Sequence, residues 1–383
     1  MFSTTLKKLR CPSFPKRGKQ TQACGAPLHF GEEEHGNSPN HLPSHSGEKP
    51  REIKSGLLWC TKCRAKYPIL AGVAILTADV RTYLIEHVKG ISALVPDSDI
   101  PREYREEYRE AKSDIQIEHI EEDLEAERVN SLYFLNHYLR TDGEKWWKPT
   151  VGAASPLIDE LVRKYWDHGP FAQIESRLVK EGKSYDIVEL GCGLGGLFNV
   201  LKPVCSSFLG VDSSFASIAL ARHLALGIPY RGKLRIPEDL LQGAVSRAVR
   251  YESAKSSDGK ADFVVGDLGS VPVVSGECDL TIALNAIDMM PEPWRLPELQ
   301  FELLRKGGIA VQSCPYIWHE QVAESLRNRL PEEIRDSAGA AEWLYEEAGF
   351  KISEKVDHVP WLFFKHARQL EIYSVHIFIA QKN

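Results

Sequence analysis

YDIVELGCGLGGLFNVLKPVCSSFLGVD, residues 185–212, reads as strand, glycine turn, helix and strand. Ile187, Val188 and Leu190 form a short apolar run. Gly191, Gly193, Gly195 and Gly196 then remove every Cβ that would block a ligand, and residues 197–201 begin a helix. A helix opening directly after a glycine turn presents free backbone N–H groups to a nucleotide-like ligand. Residues 208–211 make a second apolar strand ending in Asp212, about twenty residues past Gly191, the spacing at which an acid binds ribose hydroxyls. The stretch is suited to an adenosine-type ligand on an α/β sheet.

Gly191, Gly193 and Gly196 also satisfy the dinucleotide pattern GxGxxG, so the glycines alone leave the ligand open. Glu189, two residues before the first glycine, would meet a cationic amino-acid portion and repel a pyrophosphate. Gly266, Asp267 and Leu268 end a third strand with another acid, placed to reach an adenine amino group. Together these motifs resemble the class I S-adenosylmethionine-dependent methyltransferases. The resemblance implies a Rossmann-like seven-stranded sheet and S-adenosyl-L-methionine as cofactor, held by Glu189, Gly191, Gly193, Gly195, Asp212, Asp267, Leu268 and Asn285. The bland alternative is a glycine turn that merely packs a helix on a sheet.

Outward from this centre, 383 residues suffice for a full α/β domain plus a smaller module. The charged and apolar fractions are those of an ordinary soluble protein, and no apolar run approaches the length that crosses a bilayer. The start, MFSTTLKKLRC, has basic residues but no apolar core or cleavage pattern, so no signal peptide and a cytoplasmic location are expected. A net charge of −6 argues mildly against a dominant nucleic-acid surface. Of the eight cysteines, four precede Tyr67 and four are scattered through the later α/β pattern, which fits a reducing compartment and one metal site better than disulfides.

Those first four, Cys11, Cys24, Cys60 and Cys63, suit a tetrahedral structural zinc holding two knuckles of a ribbon too small to fold on apolar burial alone. The other possibility is a metal-free mini-domain with buried or free thiols. CTKC followed by Tyr67, Pro68, Ile69, Gly72, Val73, Ile75 and Leu76 resembles the zinc-ribbon activator subunit of tRNA and protein methyltransferases. The first knuckle departs from that family, with twelve residues between Cys11 and Cys24 in place of a close pair. A polar run at 29–55, containing His29, His35, His41 and His45, reads as a disordered insertion within a module spanning 1–80. Its histidines are read as solvated rather than as metal ligands.

Residues 101–150 read as amphipathic helical linker, with Ile115, Ile117, Ile120, Leu124 and Val129 at helical spacing. Its Tyr133, Asn136 and Tyr138 would either close over a cofactor or simply pack a helix. Trp146 and Trp147 precede a lead-in helix, and residues 151–383 form the main domain. A polar insertion is read at 228–260, and strands are expected at 261–265, 278–284, 309–313, 350–356 and 374–380.

The fourth strand leads into Asn285 and Asp288, and the fifth into Cys314, Pro315, Tyr316, Ile317, Trp318 and His319; open α/β sheets place their chemistry at such ends. LNAIDMM, CPYIW and VPWLFFKHARQLEIYSV, the last carrying Pro360, Arg368, Ser374 and Val375, resemble the methyltransferase domain of ovothiol synthase, which methylates the imidazole of a mercaptohistidine. The chain departs from it in having Cys314 where serine is expected and in lacking an iron-dependent sulfoxide-forming part. The catalytic candidates are Asp288, Tyr316 and His319, with His358 the weakest of the set. Each has a structural reading too: a helix N-cap for Asp288, core packing for Tyr316 and an exposed helix start for His319. Three functions stay open: methyl transfer to a small imidazole, thiol or amino-acid derivative, methyl transfer to RNA or protein recruited by the ribbon, and a non-catalytic cofactor-binding scaffold.

Overall fold

A computed structural model describes residues 1–14, 23–31, 50–118, 133–134, 136–138, 156–180, 182–235, 246–251, 256–366 and 369–383. His35, His41, His45, Ile120, Leu124, Val129, Trp146, Trp147 and Arg368 lie outside them. The chain folds into two compact units that are not contiguous in sequence. One comprises Met1–Ala126, Leu209–Ile228 and Ser253–Val274; the other comprises Glu127–Phe208, Pro229–Glu252 and Ser275–Asn383.

In the first unit, β1 (Leu28–Phe30), β2 (Gly56–Cys60), β3 (Lys66–Leu70) and β4 (Val73–Leu76) form an antiparallel run. β4 then pairs in parallel with β9 (Ala261–Gly266), Ile75 opposite Val265 and Leu76 opposite Gly266. Every residue of β4 and β9 is buried, the signature of strands covered on both faces. Two short helices, α1 (Val80–Glu86) and α2 (Val88–Ser92), and a longer one, α3 (Arg105–Glu118), follow. Asp79 caps α1, its Oδ1 accepting from the Thr82 N–H at 3.1 Å. α7 (Phe215–Ala225) opens on Ser214, whose hydroxyl accepts from the Ser217 N–H at 3.3 Å.

The second unit holds α4 (Pro156–His168), α5 (Pro170–Lys180), β5 (Tyr185–Leu190) and α6 (Gly196–Leu201). β10 (Cys278–Leu284) lies parallel between β5 and β11 (Leu304–Cys314), and β11 pairs antiparallel with β13 (Gln369–Lys382), which pairs with β12 (Phe350–His366). α8 (Arg295–Leu303), α9 (Glu320–Arg327) and α10 (Ser337–Glu347) complete it. β6 spans Cys205–Asp212, its residues to Phe208 belonging to the second unit and those from Leu209 to the first.

Three expectations change. Among the described residues the strands of these sheets number eleven rather than seven, since β1–β4 do not stand apart as a ribbon: β4 pairs with β9 as well as with β3. His29 and Phe30, expected in a disordered insertion, are in β1, and Ile53 is buried, while residues 32–49 lie outside the described residues. The polar insertion at 228–260 carries an antiparallel hairpin, β7 (Tyr230–Arg235) on β8 (Ser246–Tyr251).

Candidate functional site

In the second unit, β5 delivers buried Glu189 and then a turn in which Gly191, Gly193 and Gly195 take φ of 72°, 51° and 69°. Only glycine adopts such values in succession without Cβ strain. Gly196 is small for another reason. A Cβ there would lie 2.6 Å from the carbonyl oxygen and the Cβ of His137, so this glycine makes room for the chain's own backbone rather than for a ligand. Residues 133, 134 and 136–138 are helical and lie on the glycine loop. His137 Nδ1 accepts from the Gly196 N–H at 3.2 Å, and the Tyr138 hydroxyl donates to the Leu194 carbonyl at 2.6 Å. Burial pushes the His137 imidazole down to about 4, keeping it neutral and able to accept. Asn136 brackets Phe364 of β12, its amide donating to the Phe364 carbonyl at 3.2 Å and accepting from the Phe364 N–H at 2.9 Å.

The carboxyl ends of β10 and β11 hold two non-glycine residues in the left-handed region, Asn285 at φ 54° and Tyr316 at φ 61°. Such conformations persist where surrounding bonds enforce them. Asn285 N–H donates to the Ser313 carbonyl at 2.8 Å, and Ser313 Oγ to Asn285 Oδ1 at 3.3 Å. The Tyr316 N–H points at Cys314 Sγ, 3.2 Å away, and the buried carboxylate of Asp288 accepts from the Ile317 N–H at 2.8 Å. Asp288 thus ties the end of β10 to the CPYIW turn. Tyr316 and Trp318 stack with ring centres 5.7 Å apart and planes 20° from parallel. The Trp318 indole N–H donates to Ser337 at 3.0 Å.

Two residues that sequence reasoning missed complete this corner. The Tyr316 hydroxyl lies 2.9 Å from His376 Nδ1 on β13, and His376 Nε2 lies 3.4 Å from Glu342 Oε1 on α10. The signal was a histidine inside the apolar run SVHIFIA, where an unpaired imidazole would be costly. His319 is exposed at the N-cap of α9 without a side-chain cap bond. His358, at φ 58°, is exposed on β12 and its Nδ1 lies 3.1 Å from Ser374 Oγ.

In the first unit, Asp212 Oδ1 accepts from the Ser214 N–H at 2.9 Å, and the Tyr83 hydroxyl of α1 donates to the Ser213 carbonyl at 2.6 Å. Asp267, exposed after β9, accepts from the Gly269 N–H at 2.6 Å, and Leu268 beside it is half-buried. The chain beyond is held by the N-terminal segment: Arg10 N–H donates to the Pro272 carbonyl, and Val274 N–H to the Lys8 carbonyl, both at 2.9 Å.

The sulfurs of Cys11, Cys24, Cys60 and Cys63 all lie within 4.8 Å of one another, with Cys11 to Cys63 at 3.4 Å and Cys24 to Cys60 at 3.8 Å. Four thiolates around a zinc ion at about 2.3 Å stand about 3.8 Å apart, so the set fits a tetrahedral ion. Two turns build it. Arg64, at φ 65°, donates its N–H to the Cys60 carbonyl at 3.0 Å, and Gly25, at φ 64°, donates its N–H to the Cys11 carbonyl at 3.0 Å. The long spacer after Cys11 therefore leaves the first knuckle closed. Burial raises the Cys11 thiol; at Cys60 burial also acts upward but is outweighed by the N–H groups of Cys63 and Lys62, and the thiol titrates low. His29 packs on Trp59 instead of joining the cluster, which among the described residues is made of cysteines alone.

Residues 188–312, from β5 into β11, match the family described as "Methyltransferase domain". No curated protein matches the sequence. Among solved structures, the chain is similar to the Haloferax volcanii complex of the Trm112 methyltransferase activator with a putative methyltransferase, at 16% identity, 55% of this chain, 92% of that one and TM-score 0.35. It is also similar to magnesium protoporphyrin IX methyltransferase of Synechocystis PCC 6803 with bound SAH, at 15% identity, 66% and 99% coverage and TM-score 0.37. A third is a structure from Methanosarcina mazei described as SAM-dependent methyltransferases, at 16% identity, 53% and 96% coverage and TM-score 0.35. Similarities this low do not decide a function.

Proposed function

We propose that a chain whose residues 188–312 match a methyltransferase domain uses it to transfer a methyl group from S-adenosyl-L-methionine to a small molecule carrying an imidazole, a thiol or an amino-acid group. By the class I signature, Glu189 and the turn at Gly191, Gly193 and Gly195 would take the methionine portion, Asp212 the ribose, and Asp267 with Leu268 the adenine, with Asn285 beside the cofactor. When bound, the cofactor supplies an activated sulfonium methyl, leaving the protein to align the acceptor, exclude water and manage a proton.

The observation that carries the small-molecule reading is the Tyr316–Trp318 stack on a strained turn at the carboxyl ends of β10 and β11. Parallel aromatic faces beside a hydroxyl suit a flat ring such as imidazole. Tyr316 is the proposed catalytic residue; Asp288 is proposed to hold its turn, and His319 to stand at the rim. The four thiols would hold a structural zinc.

Calorimetry with S-adenosylmethionine tests the donor site. Wild type should bind and Gly193→Arg should not; no binding by wild type would sink the proposal. Methyl-labelled cofactor incubated with a metabolite extract, then with RNA and protein fractions, tests the acceptor. Label confined to macromolecules would favour an RNA or protein substrate instead, and binding without any transfer would leave a cofactor-binding scaffold.

A further inference from the structure

Tyr316 is turned inward by its own backbone. Its left-handed φ of 61° follows directly on β11, and the Cys314 Sγ and Asp288 contacts lock the turn from both sides. The hydroxyl is thereby presented to His376, 97% buried on the neighbouring strand, where Cys314 and His376 are directly paired. Protonation states follow from chemistry. A carboxylate only accepts, so the His376 Nε2 that faces Glu342 Oε1 carries the proton, and a neutral ring then offers its Nδ1 lone pair to the Tyr316 hydroxyl. Tyrosine, histidine and glutamate make successive contacts from the turn to α10, and Glu342 is partly exposed and paired to the exposed Lys355 at 2.6 Å.

We propose that His376 and Glu342 are positioning residues that turn Tyr316 into the proton acceptor of methyl transfer, forming a relay from the acceptor atom to solvent. This rests on the methyltransferase function proposed above. The acceptor nitrogen forms its bond to the methyl group as the bond from that methyl to the sulfonium sulfur breaks, the electron pair staying on sulfur. The proton displaced from the nitrogen passes to Tyr316 Oη, while the proton of Oη passes to His376 Nδ1. The imidazolium so formed keeps its Nε2 proton against the Glu342 carboxylate, and once the product leaves it returns the Nδ1 proton to Tyr316 Oη as Oη releases the proton it took to water in the emptied site, which restores the starting ring.

The surroundings favour a ring that starts neutral and tolerates a transient charge. Burial pulls the His376 pKa down, while Asp357 on β12, Glu342 on α10 and Asp336 at its cap pull it up, and Lys355 on β12 opposes them. Tyr316 is pushed far up by burial, with Cys314, Tyr345, Asp357 and Glu342 adding to it, so it does not act as a free phenolate and needs a neighbour to take its proton. His376 is that neighbour.

Nitrogen-15 NMR of histidine-labelled wild-type protein reads the relay without any acceptor. The expected result is a neutral His376 at pH 7 with its proton on Nε2; a proton on Nδ1, or on both nitrogens, would overturn the proposal. With mercaptohistidine as the acceptor probe, Tyr316→Phe and His376→Gln should lower kcat roughly 100-fold or more while leaving calorimetric affinity for S-adenosylmethionine within about 2-fold. Glu342→Gln should move the acid limb of the kcat profile, which a packing role would not do. Unchanged kcat in Tyr316→Phe, or an unmoved profile in Glu342→Gln, counts against the relay. Loss of cofactor binding by wild type counts instead against the methyltransferase function, and the NMR result judges the triad separately.

Discussion

At the residue scale, His137 and Gly196 form one device. The imidazole accepts the Gly196 N–H only while neutral, and its pKa of about 4 lies below the ordinary 6.5. Between those values the unfolded chain binds a proton that the folded chain refuses. The stabilisation is therefore fully present above 6.5 and is lost as pH falls towards 4. His376, also lowered by burial, acts in the same direction. The thermal midpoint should drop from pH 7 to pH 5, and His137→Gln should shrink that drop; identical slopes in the two proteins would exclude His137 as the cause. Gly196→Ala should cost about 1–3 kcal/mol in chemical denaturation, because its methyl would meet backbone that cannot rotate away. The glycine turn was legible as a turn, since its spacing and flanking apolar runs are local. That Gly196 serves His137, some sixty residues earlier, was not, because a missing Cβ does not name the atom that fills its space.

At the element scale, the β12–β13 hairpin departs most from expectation. Strands were expected at 350–356 and 374–380, whereas the elements run Phe350–His366 and Gln369–Lys382. Alternation hid them: the register shifts between Ile352 and Glu354, between Val356 and Val359 and between Phe364 and His366, so period-two patterning breaks three times within one strand. Beyond the first two shifts, Val359, Val375 and Ile377 make a small core joined by Trp361 and Tyr373. There Asn136 stands in for a neighbouring strand, filling both backbone positions of Phe364. Asn136→Ala should leave those groups poorly matched and cost about 1–3 kcal/mol. Faster hydrogen exchange at Phe364 and at 136–138 would check it, and unchanged exchange would contradict it. By contrast β10, read as 278–284, is found there, since a central strand buried without a break from Leu280 to Ala283 has no competing pattern.

At the scale of the whole molecule, each compact unit gathers distant stretches, and this part was not legible because pairing partners far apart leave no local signature. The first unit is held by Arg222 of α7, which reaches Glu52 at 3.0 Å and the buried Asp262 at 3.3 Å. Arg222→Met leaves that carboxylate buried without its cation and should cost about 3–5 kcal/mol, read as a lower denaturation midpoint. The thiol cluster adds a second constraint. Purified protein should contain about one zinc per chain, Cys60→Ser should lose it, and chelation should lower the thermal midpoint. Metal-free protein of unchanged midpoint would show that the four thiols pack without an ion.

Asp262 also accepts from the Phe2 N–H, across 260 residues of chain. For a polypeptide emerging from the ribosome at roughly 5–20 residues per second, that bond is delayed by tens of seconds after Phe2 is made. Through that interval the strands and cysteines near the amino end wait without β9, which is their partner in the sheet. Folding of the first unit is thus timed by translation of its last segment, and slow codons between 120 and 260 would lengthen the period in which free thiols meet oxidants or the wrong metal.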